Sequence, residues 1–244
     1  MNKIAFRIDD IGASTKRFEV YSKSRIGNFL FLKYLKPFQA WAPYREMTAQ
    51  EWYQIFEILH QYRARLTVGI TASWVEWNGK LVPFPKKFPE EAKGLKIGLE
   101  QGVLEIANHG LTHCVVGKHL PRLFRSNRIY HREFWDWVPR ETHFTNIKRS
   151  QEILQDYFGV PITTFIPPGN VYSSDTLEAA GHCGIERVNS STPPPSAPSA
   201  VKIVNNENVV DFHDREIVLE GVEWLERKLS SLPEATEHVF VREL

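Results

Sequence analysis

Two histidines stand four positions apart directly after a short apolar run. The run covers residues 103–107, and His109 and His113 follow it after Asn108. Side chains four residues apart lie on one face of a helical turn, so both imidazoles could bind the same metal ion. The alternative is that both histidines are structural, since histidines are common at turns. The pair therefore needs a third ligand before it indicates a metal site.

Two adjacent carboxylates near the N-terminus offer that ligand. Asp9 and Asp10 follow the apolar-rich segment 3–8. We assign Asp10 as the ligand, because an Asp-His-His set leaves an open position for water, as catalytic metal sites do. Asp9 points in a different direction and can act as the base that takes a proton from that water. The alternative is a solvated turn or a helix cap, which is the commoner fate of aspartate after a strand.

A later histidine, His213, is the candidate proton donor. It follows the apolar run 209–212. Its position at the end of a strand predicts a general acid on the opposite side of the site from Asp9. Asp214 could orient its ring. The alternative is a core histidine whose polar atoms are satisfied.

The elements that must position these residues alternate along the chain. Short apolar runs rich in β-branched residues predict seven strands, at residues 3–8, 65–70, 103–108, 163–167, 185–189, 209–212 and 238–241. Amphipathic patterns predict five helices, at residues 48–62, 88–101, 141–158, 174–181 and 220–232. This alternation predicts a parallel sheet, either open and doubly wound or closed into a (β/α) barrel. We favour the barrel, because the polar candidates follow different strands and barrel chemistry gathers at the carboxyl ends.

Two long segments do not fit the alternation. We interpret them as insertions, at residues 14–45 and 115–140. Insertions in a barrel usually lie over the catalytic face as lids or substrate walls. The proline-rich stretch 190–200 reads as a stiff loop rather than a linker, because strands continue beyond it. We therefore expect one catalytic domain over residues 1–244.

The composition excludes several classes of function. The 244 residues are 42% hydrophobic and 12% aromatic, which is enough for a sizeable core. A net charge of +1 argues against nucleic acid or a membrane surface as a partner. The N-terminal segment lacks the apolar stretch of a secretion signal, and no window approaches the ~20 apolar residues of a membrane helix. With only Cys114 and Cys183 as cysteines, we expect a cytoplasmic protein. The oligomeric state is not predicted.

The motifs also follow one another in a familiar order. F-R-I-D-D-I-G at residues 6–12 stands where one family has T-F-D-D-G, and N-H-G-L-T-H at residues 108–113 stands for N-H-[ST]-x-x-H. A proline pair follows F-I at residues 167–168, and H-D comes late, at residues 213–214. Over nearly the whole chain this set resembles the polysaccharide deacetylases of the NodB-homology family (carbohydrate esterase family 4).

That resemblance implies a fold, an activity and a set of roles. The fold would be a distorted (β/α)7 TIM-like barrel, in agreement with the seven predicted strands. The activity would be metal-dependent removal of an acetyl group from an N-acetylated sugar or glycan precursor. By motif, Asp9 is the base, His213 is the acid, and Asp10, His109 and His113 bind a divalent metal, commonly zinc. Substrate and oxyanion contacts would come from the proline turn, at Pro168, Gly169 and Asn170.

Three departures from the family pattern indicate a divergent branch. The family has an arginine before the prolines that orients the catalytic aspartate; here it is absent, and we expect Asn170 or an insertion residue to replace it. The family's Asp and Trp near the fifth strand are also absent, with V-N-S-S at residues 188–191 in their place. The interval between Asp10 and His109 is longer than usual, so we expect a deeper site.

The second insertion is both basic and aromatic. Its basic residues are Lys118, Arg122, Arg125, Arg128 and Arg132. They indicate either a solvated loop or a clamp for an anionic group, such as a pyrophosphate or a uronic acid. Neighbouring aromatic side chains, including Phe134 and Trp137, could stack on a sugar ring or form a small core of their own. The predicted clamp comprises Arg128, His131, Glu133 and Trp135.

Two other functions remain open. One is a metal-dependent hydrolase of another amide, such as a cyclic ureide, which would use the same barrel face. The other is a degenerate carbohydrate-binding protein that lost turnover together with the missing arginine. Against the second, a binding module does not need a free base beside a metal ligand.

Overall fold

The computed structural model describes residues 3–18, 45–120, 127–193, 195 and 201–244. Most of the first predicted insertion, at residues 19–44, therefore lies outside the described residues. So does part of the second, at residues 121–126, which includes Arg122 and Arg125.

A parallel sheet of eight strands forms the centre of the described part of the chain. Its strands are β1 (Lys3–Ile11), β2 (Leu66–Ile70), β5 (Leu104–Asn108), β6 (Thr164–Phe165), β7 (Arg187–Asn189), β8 (Lys202–Val204), β9 (Val209–His213) and β10 (Glu237–Val239). A separate antiparallel hairpin comprises β3 (Ser73–Val75) and β4 (Leu81–Pro83). All seven predicted strands are present, with shifted ends, whereas β3, β4 and β8 were not predicted. These three strands have only three residues each, which is too short for a periodic pattern.

The first strand has three neighbours because β10 and β2 share one of its edges. Along Ala5–Asp9 it pairs with β9. On the opposite edge, β10 pairs with Lys3–Ala5 and β2 pairs from Phe6 onward. The sheet then continues through β5, β6, β7 and β8, all parallel. Within the described residues no pairing joins β8 to β9, so the sheet curls into an open barrel. The predicted distorted barrel is confirmed.

Seven helices lie around this sheet in the described ranges. They are α1 (Ala49–Gln61), α2 (Phe84–Lys87), α3 (Pro89–Glu100), α4 (Arg140–Phe158), α5 (Ser174–His182), α6 (Asp214–Glu220) and α7 (Glu223–Ser230). The start of α1 is as predicted: the Thr48 side chain accepts from the Glu51 N–H, and the Glu51 carboxylate accepts from the Thr48 N–H. The predicted helix at 220–232 is wrong at its start. Helical structure begins at Asp214, and Gly221, with φ 83°, separates α6 from α7.

The main core lies between the sheet and helices α1, α3 and α7. Trp52, Leu59, Leu66 and Leu95 are fully buried there. Burial of each such side chain contributes about 1.5–3 kcal/mol. This packing holds β1, β2 and β5 rigidly, and the carboxyl ends of these strands carry the polar residues considered next. None of the described helices is long and apolar enough to cross a bilayer.

Candidate functional site

A cavity of about 90 Å³ opens at the carboxyl ends of the strands. Its lining residues come from separate parts of the chain: Asp9, Asp10, His109, His113, Arg128, Arg132, Gly169, Asn170, Asp211, His213 and Arg215. The parallel arrangement explains this convergence, because the carboxyl ends of parallel strands meet at one edge of the sheet. Both predicted catalytic residues and all three predicted metal ligands therefore face one small space.

Asp10 faces both histidines of the 108–113 motif. Its Oδ1 lies 3.2 Å from His109 Nε2 and 3.1 Å from His113 Nε2. Atoms that share a zinc ion at about 2.0–2.2 Å lie roughly 3.0–3.5 Å apart, so the observed spacing matches a common metal. Among the described residues, this trio is the one group of His, Cys, Asp or Glu side chains whose ligand atoms all lie within 4.8 Å of one another.

The second nitrogen of each histidine is already engaged. His109 Nδ1 lies 2.8 Å from the Ile166 carbonyl oxygen and must donate to it, which leaves the Nε2 lone pair facing Asp10. His113 Nδ1 lies 3.1 Å from Thr15 Oγ1. Apart from its 3.1 Å approach to Asp10 Oδ1, the buried His113 Nε2 has no hydrogen-bond partner among the described residues. A buried imidazole nitrogen placed this way is suited to bind a metal ion.

Backbone strain is concentrated at the site. Among the described residues, four other than glycine have positive φ, and three of them line the cavity: Asp10 (67°), His113 (61°) and Asn170 (58°). Such conformations cost of order 1–3 kcal/mol each and occur mainly at functional sites. No sequence pattern signalled them, because aspartate, histidine and asparagine are also common where φ is negative.

The charges of the trio favour metal-binding protonation states. Burial by itself would raise the pKa of Asp10, but His113, His213 and His109 hold that pKa well below its usual value. Burial lowers the pKa of His113 despite the neighbouring Asp10. Asp10 is therefore ionised and His113 is neutral near pH 7, as coordination requires.

Arg7 supplies the guanidinium that the proline motif lacks. It is fully buried, and its Nη2 donates to Asp9 Oδ2 at 2.7 Å. Our expectation that Asn170 or an insertion residue would take this role is wrong for the contact with Asp9. The sequence did carry the signal: residues i and i+2 of a strand point to the same face, so R-I-D on β1 brings Arg7 beside Asp9.

Arg7 is itself held across the opening of the barrel. Its Nη1 donates to Asn189 Oδ1 on β7, and its Nη2 lies 3.4 Å from Asp211 Oδ2 on β9. Asn189 Nδ2 in turn donates to the Val204 carbonyl oxygen at 2.9 Å. Asn189 belongs to the V-N-S-S stretch that replaces the family's usual residues. The Arg7 guanidinium is therefore held by Asn189 on one side of the gap between β8 and β9 and by Asp211 on the other. Because Arg7 donates to Asp9, these contacts also position the Asp9 carboxylate.

His213 lies at the edge of the cavity and remains one-third exposed. Its Nε2 is 3.9 Å from Asp10 Oδ2, and its Nδ1 is 4.0 Å from Glu216 Oε2. The suggestion that Asp214 orients this ring is not supported, because Asp214 is buried and pairs with Lys16. Glu216 is therefore the carboxylate beside His213 Nδ1.

The proline turn contributes two of its three predicted residues to the cavity. Gly169 and Asn170 line it, whereas Pro168 is buried beside it. Gly169 has φ 60°, and a Cβ built on it would lie 1.7 Å from Arg132 Nε. Asn170 Oδ1 accepts from the Ser191 N–H at 3.1 Å, which ties the turn to the loop after β7.

Of the predicted clamp, Arg128 lines the cavity and the other residues have different positions. His131 is buried, and its Nε2 lies 3.0 Å from the His119 carbonyl oxygen. Trp135 does not line the cavity and donates from Nε1 to the Ile129 carbonyl oxygen. Phe134 packs against Phe165 with ring centroids 5.4 Å apart. The reading as part of a core is therefore correct for Phe134, whereas Trp135 is only half-buried.

Glu133 supports the metal motif from behind. Its Oε2 accepts from the N–H groups of Thr112 and His113, at 3.1 and 3.0 Å. Burial raises its pKa to about 7, against the effect of those hydrogen bonds. The insertion therefore provides a positioning carboxylate for the turn that carries His113. The sequence offered no signal for this role, because it depends on a contact across 20 residues of irregular chain.

Known structures with the same fold resemble this chain at low sequence identity. A variant with restored activity of a CE4 family pseudoenzyme from Bacillus anthracis aligns with a TM-score of 0.52 and 12% identity, over 100% of this chain and 67% of that one. A family 4 acetyl xylan esterase from Clostridium thermocellum, solved in complex with a cobalt ion, aligns with a TM-score of 0.50 and 13% identity, over 99% and 89%. The BpsB deacetylase domain from Bordetella bronchiseptica aligns with a TM-score of 0.50 and 15% identity, over 86% of this chain and 96% of that one. These likenesses show the fold.

No protein with a curated description matches the sequence at a significant level. A family model described as polysaccharide deacetylase matches residues 44–188, more than half of the chain. That span includes His109, His113 and the proline turn, whereas Asp9, Asp10 and His213 lie outside it and reach the same cavity through the fold. On this match the chain belongs to the polysaccharide deacetylase family.

Proposed function

We propose that this protein is a metal-dependent deacetylase that hydrolyses an acetyl group on a sugar or glycan precursor. Membership of the polysaccharide deacetylase family supports this proposal, and favours an acetylated carbohydrate over a cyclic ureide as the substrate. The observation that carries it is the Asp10, His109 and His113 cluster beside the ion pair of Arg7 and Asp9.

A divalent cation suits the donor set. One carboxylate and two neutral imidazoles are typical ligands of zinc, and the buried Nε2 of His113, which faces Asp10 Oδ1 at 3.1 Å, supports the same conclusion. When bound, such an ion would lower the pKa of a water molecule and polarise the acetyl carbonyl group. Asp10, His109 and His113 would hold it.

Asp9 is suited to accept the proton of the attacking water. Its Oδ2 is occupied by Arg7, whereas its Oδ1 is buried and has no hydrogen-bond partner among the described residues. One oxygen is thus anchored and the other is free to accept a proton. Because Asp9 precedes Asp10 directly, the base lies beside the metal ligand without being one.

Two other groups complete the reaction. His213, beside Glu216 and partly exposed, would donate a proton to the leaving nitrogen or oxygen of the sugar. The backbone N–H of Gly169 would donate to the developing oxyanion. The Asn170 N–H is less suited to that task, because it already donates to the Pro167 carbonyl oxygen at 2.9 Å.

The first test is the metal content of the purified protein, measured for the wild type and for a His109→Ala, His113→Ala double variant. We expect near-stoichiometric divalent metal that is lost in the double variant. The exposed His60, changed to alanine, is the matched control and should leave metal content unchanged. Absence of metal in the wild type after incubation with zinc would remove the mechanism and favour a binding protein.

The second test separates metal binding from catalysis. Acetate release is measured with N-acetylated and O-acetylated sugars for the wild type and for Asp9→Asn. We expect the variant to keep its metal and lose turnover, because asparagine cannot accept the proton. An active Asp9→Asn enzyme would exclude Asp9 as the base.

We also propose a cytoplasmic location. The support is that Cys114 and Cys183 are both free thiols in the structure. Fractionation of cells that produce the full-length protein tests this, and recovery outside the cytoplasmic fraction would contradict it.

A further inference from the structure

Three arginines line the cavity together with the residues of the proposed reaction. Arg128 and Arg132 come from the second insertion, and Arg215 comes from the first turn of α6. Arg128 and Arg132 belong to the basic segment of the insertion, whereas Arg215 does not. The fold thus brings guanidinium groups from two distant segments to one small space, where Arg215 Nε pairs with Glu216 Oε1 at 2.7 Å.

Arg132 packs directly against the proline turn. A Cβ built on Gly169 would lie 1.7 Å from Arg132 Nε, so this side chain is in contact with the glycine. Its Nη1 donates to the His131 carbonyl oxygen at 3.0 Å. Within the described ranges, no carboxylate oxygen lies within 4.0 Å of its guanidinium nitrogens, so its charge has no ion-pair partner there.

The carboxylates of the cavity are engaged elsewhere. Asp9 pairs with Arg7, and Asp211 lies 3.4 Å from the same guanidinium. Asp10 faces the two histidines and would be a metal ligand under the proposed function. A divalent cation would add further positive charge to a partly enclosed space, where like charges repel more strongly than in water. A bound anion would relieve this repulsion.

We propose that the substrate is an acetylated sugar that carries an anionic group, a carboxylate or a phosphate, and that Arg132 binds that group. The inference rests on the proposed function for the acetyl end of the substrate. Guanidinium groups bind both kinds of anion through paired N–H donors, which makes Arg132 a specificity-determining residue rather than a member of the reacting centre.

The experiment compares one neutral and two anionic substrates. Acetate release is measured with N-acetylglucosamine, its 1-phosphate and its uronic acid, for the wild type, Arg132→Gln and Arg132→Lys. For the wild type we expect an anionic substrate to have a KM roughly 10- to 100-fold lower than the neutral one, as a charge-assisted hydrogen bond gives. Arg132→Gln should abolish this preference, so that the neutral and anionic sugars have similar KM values. Arg132→Lys should keep part of it. The phosphate and the uronic acid together show which anion is preferred.

The matched control is Arg140→Gln. Arg140 is exposed, pairs with Glu178 and does not line the cavity, so the preference should persist. Equal KM values for neutral and anionic sugars in the wild type would overturn the proposal. So would an Arg132→Gln variant that keeps the wild-type ratio of neutral to anionic KM.

A calorimetric titration separates this inference from the proposed function. If no sugar releases acetate, the deacetylase proposal fails, and binding of N-acetylglucosamine 1-phosphate to the metal-loaded protein decides the inference. Binding that weakens about 10-fold or more in Arg132→Gln supports it. Absence of binding in the wild type, or equal binding in both proteins, overturns it.

Discussion

The buried carboxylate of Glu133 leads to a quantitative prediction about stability. Burial raises its pKa from the usual 4.5 to about 7 in the folded protein. Between these values the folded protein holds a proton that the unfolded chain has released. Unfolding then releases a proton, so the free energy of unfolding falls as the pH rises. Glutamine at this position does not ionise, so the unfolding free energy of a Glu133→Gln variant lacks this decrease with rising pH.

The size of the effect follows from the shift. One pKa unit corresponds to about 1.4 kcal/mol, so the rise of the Glu133 pKa from 4.5 to about 7 corresponds to about 3 kcal/mol over the whole titration. Part of the titration is complete at pH 5. Between pH 5 and pH 8 we therefore expect the unfolding free energy of Glu133→Gln to rise by about 2–3 kcal/mol relative to the wild type.

Urea unfolding followed by tryptophan fluorescence measures this difference at pH 5, 6, 7 and 8. A chelator is included, because metal binding to His109 and His113 depends on pH by itself. The exposed Glu57, changed to glutamine, is the control and should give a constant difference from the wild type. A difference for Glu133→Gln that stays constant across this range would refute the argument from burial.

Two further predictions test the ion pair behind the base and the packing of a helix. Arg7→Lys should lower kcat for acetate release roughly 10- to 100-fold at unchanged metal content, because a lysine ammonium lacks the planar fork by which Arg7 donates from Nη2 to Asp9 and from Nη1 to Asn189. Unchanged kcat would contradict the role of this fork in positioning Asp9. In α3, Gly98→Ala should destabilise the protein by about 1–3 kcal/mol, because the new Cβ would lie 2.6 Å from Phe56 Cζ. Gly94→Ala on the same helix meets no atom closer than 3.8 Å and should be stabilising by up to about 1 kcal/mol, by helix propensity. Urea unfolding of both variants checks this pair, and destabilisation by both would contradict the packing argument.

Patterns along the chain predicted the elements but not where each of them ends. Continuous apolar runs and the Thr48 capping box are local features, so the strands that became β1, β2 and β5 and the start of α1 were predictable. The break at Gly221 was not, because a glycine within a helical pattern is often tolerated and its φ depends on packing. The short strand β8 was missed because three residues are too few to show a periodic pattern, although it pairs with the predicted strand β7.

The order of the motifs alone indicated Asp9, Asp10, His109, His113 and His213 as one site. This was possible because parallel strands place their carboxyl ends together, so sequence order carries spatial information. The contact between Arg7 and Asp9 was also within reach, since strand alternation brings residues i and i+2 to one face.

Only the tertiary structure decided which neighbours support these residues. Glu133 behind His113, Asp214 with Lys16, and Arg132 against Gly169 are contacts between irregular segments, whose path no periodic pattern encodes. They depend on burial and on the three-dimensional course of the insertion. The sequence by itself therefore determined the barrel and the candidate reacting groups at its carboxyl end. Tertiary packing decided which side chains support these groups and which charges surround the cavity.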